Sequence, residues 1–338
     1  MKPTILITGG AGYIGSHTCV ELLAAGSKLV VVDNLCNSKR EALHRVEAIS
    51  RKKITFYELD LRDQKGLEGV FATHSVDAVI HFAGLKAVGE SVEKPLAYYD
   101  VNVTGSLTLF AVMAAANVKT LVFSSSATVY GDPQSVPIRE HFPLSATNPY
   151  GRSKLMIEEI LRDVYRADAS WRIALLRYFN PGGAHTSGSI GEDPNGIPNN
   201  LMPIVAQVAV GKREAVSIYG NDYATRDGTG VRDYIHVMDL ARGHVKALDA
   251  LSAREGLMTL NLGTGNGYSV LEVVQAFEKA SGRPIPFKIA PRRPGDIAEC
   301  FADPALAAET INWRAELNLD QMCADAWRWQ NANPNGFA

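Results

Sequence analysis

The stretch Thr8-Gly9-Gly10-Ala11-Gly12-Tyr13-Ile14-Gly15 constrains this chain more than any other. Before it, Thr4-Ile5-Leu6-Ile7 is short, apolar and β-branched and reads as a buried strand; after it, Ser16–Ala25 reads as a helix. Three glycines between strand and helix allow a turn too tight for side chains. They also let backbone N–H groups approach an anion, at which the new helix aims its partially positive N-terminus. Gly10-x-Gly12-x-x-Gly15 fits the dinucleotide fingerprint, and Gly9-x-x-Gly12-x-x-Gly15 fits its wider variant. Lys28-Leu29-Val30-Val31-Val32-Asp33 completes a βαβ unit. Asp33, 18 residues past Gly15, stands where an acid accepts hydrogen bonds from an adenine ribose, and its charge favours NAD over NADP.

Composition bounds the rest. A chain of 338 residues has room for two domains, and 46% hydrophobic residues supply a large core. A net charge of −2 gives no reason to expect nucleic acid or an anionic membrane as partner. No apolar run approaches the ~18 residues of a membrane span, and Met1-Lys2-Pro3 enters a strand at once, which reads as no signal peptide. Cys19, Cys36, Cys300 and Cys323 have no metal-site spacing and fit free thiols in a reducing cytoplasm. No metal is expected.

The first half alternates strand and helix. Ile54–Glu58, Ala78–Phe82, Thr120–Phe123 and Arg172–Leu176 read as strands, with helical spacing over Tyr98–Asn117 and Ser153–Arg166. Such alternation predicts an α/β fold with a Rossmann-type, doubly wound parallel sheet and ligands at the carboxyl ends of its strands. After Asn180 the texture changes: residues 182–200 are rich in Gly, Pro and Asn and read as a binding loop. Helices over Leu201–Val210, Val237–Ala250 and Val270–Ala280, one starting at Pro304–Leu306, and strands at Val216–Tyr219 and Leu260–Leu262 make a smaller α+β part. The expected division is a dinucleotide domain over 1–180 and a substrate domain over 181–338, with segments of the second returning to the first.

Tyr150-Gly151-Arg152-Ser153-Lys154 places a phenol and an ammonium on one helix face, with Pro149 at its start. A tyrosine, whose ordinary pKa is ~10, must come down by ~3, at a cost of roughly 4 kcal/mol, to serve as a base near neutrality. A neighbouring ammonium and a positively charged nicotinamide would both favour the phenolate. The pair alone is common on surface helices. Ser126, ending a strand 24 residues upstream, is the third member that makes the set specific: its hydroxyl can hold a substrate hydroxyl against the phenolate and relay its proton.

In this order, Thr-Gly-x-x-Gly-x-x-Gly, Ser126 and Tyr150-x-x-x-Lys154 resemble the extended short-chain dehydrogenase/reductase family. The segments Asp33–Ser38, His81–Lys86, Ser124–Gly131, Arg177–Asn180, Pro198–Pro203 and Gly230–Val237 narrow the resemblance to the branch that inverts C4 of UDP-hexoses, over essentially the whole chain. It implies a tightly held NAD whose pyrophosphate meets Gly9, Gly12, Tyr13, Ile14 and Gly15. Asp33, Asn34, Leu35, Cys36, Asn37 and Ser38 would line the adenine ribose, and Asp60 and Leu61 would flank adenine. Phe82, Ala83, Gly84, Lys86, Tyr150, Lys154 and Phe179 would surround the nicotinamide end. On the substrate side it implies Lys86, Ser126 and Tyr150 at the hexose, and Asn180, Arg232 and Arg293 at the diphosphate. Asn200, Leu201, Ser217, Tyr219 and Asp296 would meet the uridine, and Cys300 would abut the hexose. The alternative for Arg232 is a surface ion-pair former, but in a polar loop beside Gly230 and Asp233 diphosphate binding is the favoured reading, because anion recognition suits the guanidinium fork; Cys36 reads as a packing residue. Of the adjacent Arg292 and Arg293, the second is assigned to substrate.

The implied chemistry has Tyr150 take the proton of the sugar 4-hydroxyl, through or beside Ser126, while hydride leaves C4 and returns to its other face. Rival readings are a nucleotide-sugar 4,6-dehydratase, a net NAD-dependent dehydrogenase and a non-enzymatic nucleotide-sensing protein. Dehydratases of this kind carry acids where this chain has Ala127 and Thr128, and the Ser126, Tyr150 and Lys154 set speaks against a protein without turnover. A tyrosine at the Cys300 position excludes an N-acetyl group in this family, so the smaller cysteine implies that N-acetylated UDP-hexoses are also accepted. Some relatives carry Asn at Val101, with Asn102 a candidate substitute. The apolar excess on the helix over Tyr98–Asn117, with the helix from Ser153, implies a homodimer.

Overall fold

The computed structural model describes residues 2–196, 198–293 and 295–337; Ile197 and Pro294, which fall in the expected 182–200 loop and in the Arg292–Asp296 segment, lie outside them. The first half contains β1 (Thr4–Thr8), α1 (Tyr13–Ala24), β2 (Lys28–Asp33), α2 (Arg40–Ser50), β3 (Thr55–Glu58), α3 (Gln64–Thr73), β4 (Ala78–His81), α4 (Val88–Glu93), α5 (Pro95–Tyr98), α6 (Gly105–Ala115), β5 (Thr120–Ser126), α7 (Pro149–Ala167) and β6 (Arg172–Tyr178). The second contains β7 (Asn180–Gly182), α8 (Leu201–Ala209), β8 (Val216–Tyr219), β9 (Val231–His236), α9 (Val237–Ala253), β10 (Gly256–Leu262), β11 (Gly267–Ser269), α10 (Val270–Ser281), β12 (Phe287–Ala290), β13 (Glu299–Cys300), α11 (Ala305–Ile311) and α12 (Leu319–Ala332).

Seven strands form one parallel sheet in the order β10-β6-β5-β4-β1-β2-β3. Alternate residues of its central strands feed two cores. Ile5, Ile7, Val31, Ile80 and Val122 pack with α1 and α9 on one face; Leu6, Val30, Val79, Leu121 and Phe123 pack with α3, α6 and α7 on the other. Each such buried aliphatic side chain stabilises by about 1.5–3 kcal/mol, which is why these strands read as unbroken apolar runs. The strand order reverses at β1, so a crevice opens between the ends of β1 and β4, where open α/β sheets bind ligands. Among the described residues, no helix is long and apolar enough to cross a membrane.

Two expected helices differ. The one expected over Ser153–Arg166 starts at Pro149: the Asn148 side chain caps it by accepting the Gly151 N–H at 2.9 Å, and Pro149 at the first position needs no partner for its missing N–H. The helix expected over Tyr98–Asn117 is broken into α5, a wide π turn over Tyr99–Thr104, and α6. The π turn carries Asn102 inward. Its Oδ1 accepts the Leu85 N–H at 2.7 Å, and its Nδ2 donates to the Leu85 carbonyl at 3.1 Å and to Ser153 Oγ at 3.0 Å. Asn102 therefore brackets the loop after β4 to α7, and Val101, not Asn102, reaches the crevice.

The strand expected at Leu260–Leu262 starts at Gly256 and pairs with β6 along its whole length, in the large sheet. The remaining strands are short. β9 is flanked by β11, β13 and β7, and β8 pairs with β12. They pack with α8, α10 and α12 around Met202, Val205, Phe277 and Met322.

Candidate active site

A cavity of about 320 Å³ opens at the carboxyl ends of the central strands. Its floor is the glycine turn. Gly9 has φ +71°, and a Cβ there would lie 2.7 Å from Ala83 N; a Cβ on Gly15 would lie 2.3 Å from the Gly9 carbonyl oxygen. Only glycine permits either approach. Helix α1 starts with Gly12 as N-cap, without a capping side chain and without an acid in its first turn. The N–H groups of Tyr13, Ile14 and Gly15 thus lack intrahelical partners, and all three residues line the cavity. Asp33 fixes the neighbouring loops: its Oδ2 accepts the Ala11 N–H at 3.0 Å, and its Oδ1 accepts the Leu35 N–H at 2.9 Å and the Ser38 hydroxyl at 2.8 Å. Asn34 donates to Asp60 at 2.9 Å, and hydrogen bonds from Arg62 hold the Asp60 carboxyl well below its ordinary range.

The cavity brings together Gly9, Gly12, Tyr13, Ile14, Gly15, Asp33, Asn34, Cys36, Asn37, Ser38, Asp60, Leu61, Phe82, Ala83, Gly84, Lys86, Ser126, Tyr150, Lys154, Phe179, Asn180 and Asn200 from strand ends and the loops after them. Leu35 is the exception on the dinucleotide side. At φ +57° it turns away from the cavity and packs on the core beneath α1. Cys36 corrects the packing reading: it is exposed and lines the cavity.

Ser126 and Tyr150 meet at one wall. Burial raises the Tyr150 phenol above its ordinary value, and a hydrogen bond with Ser126 works against that rise. Lys154 is buried, and its Nζ donates to the Ser124 carbonyl at 2.8 Å. Burial pulls its pKa down from 10.5 to about 8. The ammonium expected to depress Tyr150 is thus itself weakened by the same low-dielectric surroundings, and the group favouring the phenolate is the Ser126 hydroxyl.

Sequence reasoning missed one wall. Residues 191–194 line the cavity, joined by Phe337. The segment is tied at both ends. Lys39 pairs with Asp193 at 2.7 Å, and Asn195 donates its N–H to Asn37 Oδ1 at 3.0 Å and its Nδ2 to the Cys36 carbonyl at 3.1 Å. At the other end Glu192 accepts Lys86 at 2.9 Å and Asn200 at 2.8 Å. Asp193 also accepts the Phe337 N–H at 2.8 Å. The Gly/Pro/Asn texture of 182–200 signals a loop; nothing local shows what it lines.

Seven expected substrate residues do not line this cavity: Leu201, Ser217, Tyr219, Arg232, Arg293, Asp296 and Cys300. Leu201 packs into the core under α8. Arg293 closes on Asp296 at 2.9 Å and stacks 4.7 Å above the Tyr219 ring, so these three satisfy one another. Ser217 and Tyr219 share the exposed face of β8. Arg292 takes a separate route, to Asp222 at 2.7 Å. Arg232 lies on strand β9, not in a polar loop; it is paired in register with Cys300, and its Nη1 donates to the Val231 carbonyl at 2.8 Å. Cys300 links the two groups, packing in one apolar cluster with Val129 and the cavity residue Phe179. Burial pushes its thiol up to about 11.

Residues 6–326 match the family model described as GDP-mannose 4,6 dehydratase. A UDP-glucose 4-epimerase of Bacillus subtilis (strain 168) is 64% identical over 333 residues, covering 98% of each chain. The chain belongs to that broad family, and within it to the UDP-glucose 4-epimerases. The human UDP-glucose 4-epimerase is 59% identical over 344 residues, covering 100% of this chain and 99% of its own. The crystal structure of the Bifidobacterium longum UDP-glucose 4-epimerase in complex with NAD+ and UDP superposes with a TM-score of 0.96 at 58% identity, covering 98% of this chain and 99% of that one.

In this member of the family, the ties across residues 191–195 make a strap along one wall of the cavity. A partly exposed ion pair contributes ~0.2–1 kcal/mol and each neutral hydrogen bond ~1 kcal/mol. The Lys39→Ala/Asn195→Ala double variant should therefore release a bound dinucleotide about tenfold faster, measured by dilution into a cofactor-trapping enzyme. An unchanged release rate would show that the strap holds nothing.

Proposed function

We propose that this chain inverts C4 of UDP-hexoses, interconverting UDP-galactose and UDP-glucose with a resident NAD. The observation that carries the reading is the meeting, on one cavity, of an uncapped glycine-turn helix N-terminus with Ser126, Tyr150 and Lys154. The site fits a dinucleotide on its own chemistry. Free N–H groups of α1 suit a pyrophosphate, and Asp33 retains one acceptor site, on Oδ2, for a ribose hydroxyl. Lys154 and Tyr150 would hold the second ribose, with Phe82 and Phe179 as apolar neighbours. Bound there, NAD would supply what no side chain can, a reversible hydride acceptor for C4.

Tyr150 takes the 4-hydroxyl proton as the carbonyl forms and gives it back when the hydride returns. Ser126 stabilises the phenolate by a hydrogen bond. Arg232 and Arg293 carry the charge that suits a diphosphate, to be met with Asn180 from the cavity side, while Asn200, Leu201, Ser217, Tyr219 and Asp296 form the uridine side. Residues 1–180 serve as the NAD domain, with β10 returned to it from the substrate part of 181–338. The 4,6-dehydratase reading is favoured by the description of the matching family model, but elimination needs acids, and Ala127 and Thr128 offer none. The free thiols support a setting in the cytoplasm.

The decisive assay mixes purified protein with UDP-galactose and no added NAD. UDP-glucose should form, and Tyr150→Phe should slow it by about a hundredfold or more, the usual scale of a lost acid–base group. Net NADH, or a 4-keto-6-deoxy sugar, would overturn the reading.

Cys300 sets the second expectation. Its small side chain leaves room at C2 of the hexose, so UDP-GlcNAc and UDP-GalNAc should also be interconverted. Cys300→Tyr should abolish that activity while sparing UDP-galactose; loss of both would refute the steric argument.

The protein also works as a homodimer in this reading. Leu107 on α6 and Met156 on α7 expose apolar side chains, as do Val92 and Leu96 beside them. Light scattering should give twice the chain mass, and Leu107→Glu/Met156→Glu should halve it. A variant that keeps the wild-type mass would place the interface elsewhere.

A further inference from the structure

The segment after α12 turns back onto the wall of the dinucleotide cavity. Asn333 anchors its start: its Nδ2 donates to the Gly188 carbonyl at 2.9 Å, and its Oδ1 accepts Nη1 of Arg45, on α2, at 2.6 Å. Phe337 anchors the far side. Its ring is buried, 4.7 Å from the Trp329 ring and 5.1 Å from the Arg45 guanidinium, and the residue lines the cavity. Between the anchors, Gly336 lets the backbone run against Asp193. Gly336 has φ +76°, and a Cβ there would collide with the Asp193 carboxyl. Asp193 Oδ2 accepts both the Phe337 N–H at 2.8 Å and Lys39 Nζ at 2.7 Å. Lys39 is the N-cap residue of α2, so one carboxylate oxygen joins the segment after α12 to the dinucleotide part.

This junction matters because of what lies behind it. A second cavity, of about 170 Å³, is lined by Pro203 and Gln207 of α8, Trp329 and Gln330 of α12, and residues 334–336. Glu192, Asp193 and Pro194 line both cavities. That stretch is a partition with open space on each side. A wall of this kind gains little from apolar burial and opens locally at low cost unless polar contacts pin it. Glu192 and Asn195 are pinned by the ties already described, and Asp193 is the pin between them.

We propose that Gly336 and Phe337 are positioning residues for the dinucleotide: they hold Asp193, and with it the wall beside Lys39 and Asn37, so that the segment after α12 sets how long NAD stays. The inference rests on the dinucleotide half of the proposed function and not on the reaction at C4.

The test uses NAD-loaded wild type, Gly336→Ala, Asp193→Ala and the double variant. NAD release is followed by dilution into a cofactor-trapping enzyme, with thermal midpoints recorded on the same samples. A methyl group at position 336 displaces the Phe337 N–H from Asp193, and Gly336 itself does not line the dinucleotide cavity. Gly336→Ala should release NAD about tenfold faster, the scale of one hydrogen bond to a charged group. With NAD saturating, its kcat and its KM for UDP-galactose should match wild type. In the Asp193→Ala background the same substitution should add nothing, because it acts through the carboxyl. A purely structural fault would instead lower the thermal midpoint and speed release in both backgrounds. Phe337→Ala supplies a second measure, since trimming the ring frees the anchor without straining position 336; it too should release NAD about tenfold faster. Wild-type release rates in both Gly336→Ala and Phe337→Ala, or equal acceleration with and without Asp193, would overturn the proposal. Failure of the epimerase reading shows separately, as a wild-type holoenzyme that makes no UDP-glucose, because release is measured without turnover.

Discussion

The site depends on a buried ion pair that never touches the cavity's centre. Arg177 and Glu158 have almost no exposed surface, and they meet through two hydrogen bonds of 2.9 and 2.6 Å. Burying two charges costs several kcal/mol per ion, so the pair depends on further hydrogen bonds to both partners. Glu158 accepts the Ser125 hydroxyl at 2.5 Å; Arg177 donates to Tyr130 Oη at 2.9 Å and to the Glu140 carbonyl at 3.0 Å; Tyr130 donates to Asn261 Oδ1 at 2.7 Å. The network ties β5, α7, β6, β10 and the short turn after Ser126 to one another. Ser125 precedes Ser126, Tyr130 ends the turn that Ser126 caps, and Glu158 lies on α7 one turn beyond Lys154. The relative placement of Ser126 and Tyr150 is thus set from behind, by groups whose loss would leave an uncompensated charge in the core. Removing one partner of such a pair costs about 3–5 kcal/mol, which makes this geometry stiff.

How much of this is legible in the sequence follows from how local each signal is. The glycine turn, β1, β2 and Asp33 are legible because their conformations are dictated by residues within one βαβ unit. The large sheet is legible because strands buried on both faces must be apolar throughout. Tyr150, Lys154 and Ser126 are legible because a helix period and a strand end place them without reference to anything distant. β11, β13 and β7 are not, since segments of two or three residues exist only through pairing with β9. The π turn at Tyr99–Thr104 depends on Asn102 finding Leu85 and Ser153, partners 17 and 51 residues away. Glu192 and Phe337 reach the cavity by tertiary closure alone. Helix α12 is hidden because its buried face is set by α8 and α10, and its own sequence mixes Trp, Gln and Asp.

The unequal treatment of the two ligand halves has a physical logic. The dinucleotide side is built from strand ends, a helix N-terminus and a strap pinned by ion pairs, all anchored in the large sheet. The proposed substrate side is built from exposed positions on a two-stranded ribbon and from Arg293 and Asp296, which bind each other until something better arrives. A rigid first half and an adaptable second half suit a reaction in which the cofactor stays and the hexose must turn over between oxidation and reduction. Epimerisation needs that freedom at the sugar, and it needs none at the nicotinamide.

Burial acts in the same sense on the two ionisable groups of the proposed catalytic pair. Burial raises the Tyr150 phenol and pulls Lys154 down to about 8, so the same dry surroundings disfavour charge on both. Lys154 spends its nearest hydrogen bond on the Ser124 carbonyl, leaving Ser126 as the group that favours the phenolate. A base made this way is weakly ionised on its own and sensitive to any single charge placed beside it, because in low dielectric one elementary charge outweighs several neutral hydrogen bonds. In the proposed reaction, a positive charge bound beside Tyr150 would favour its phenolate.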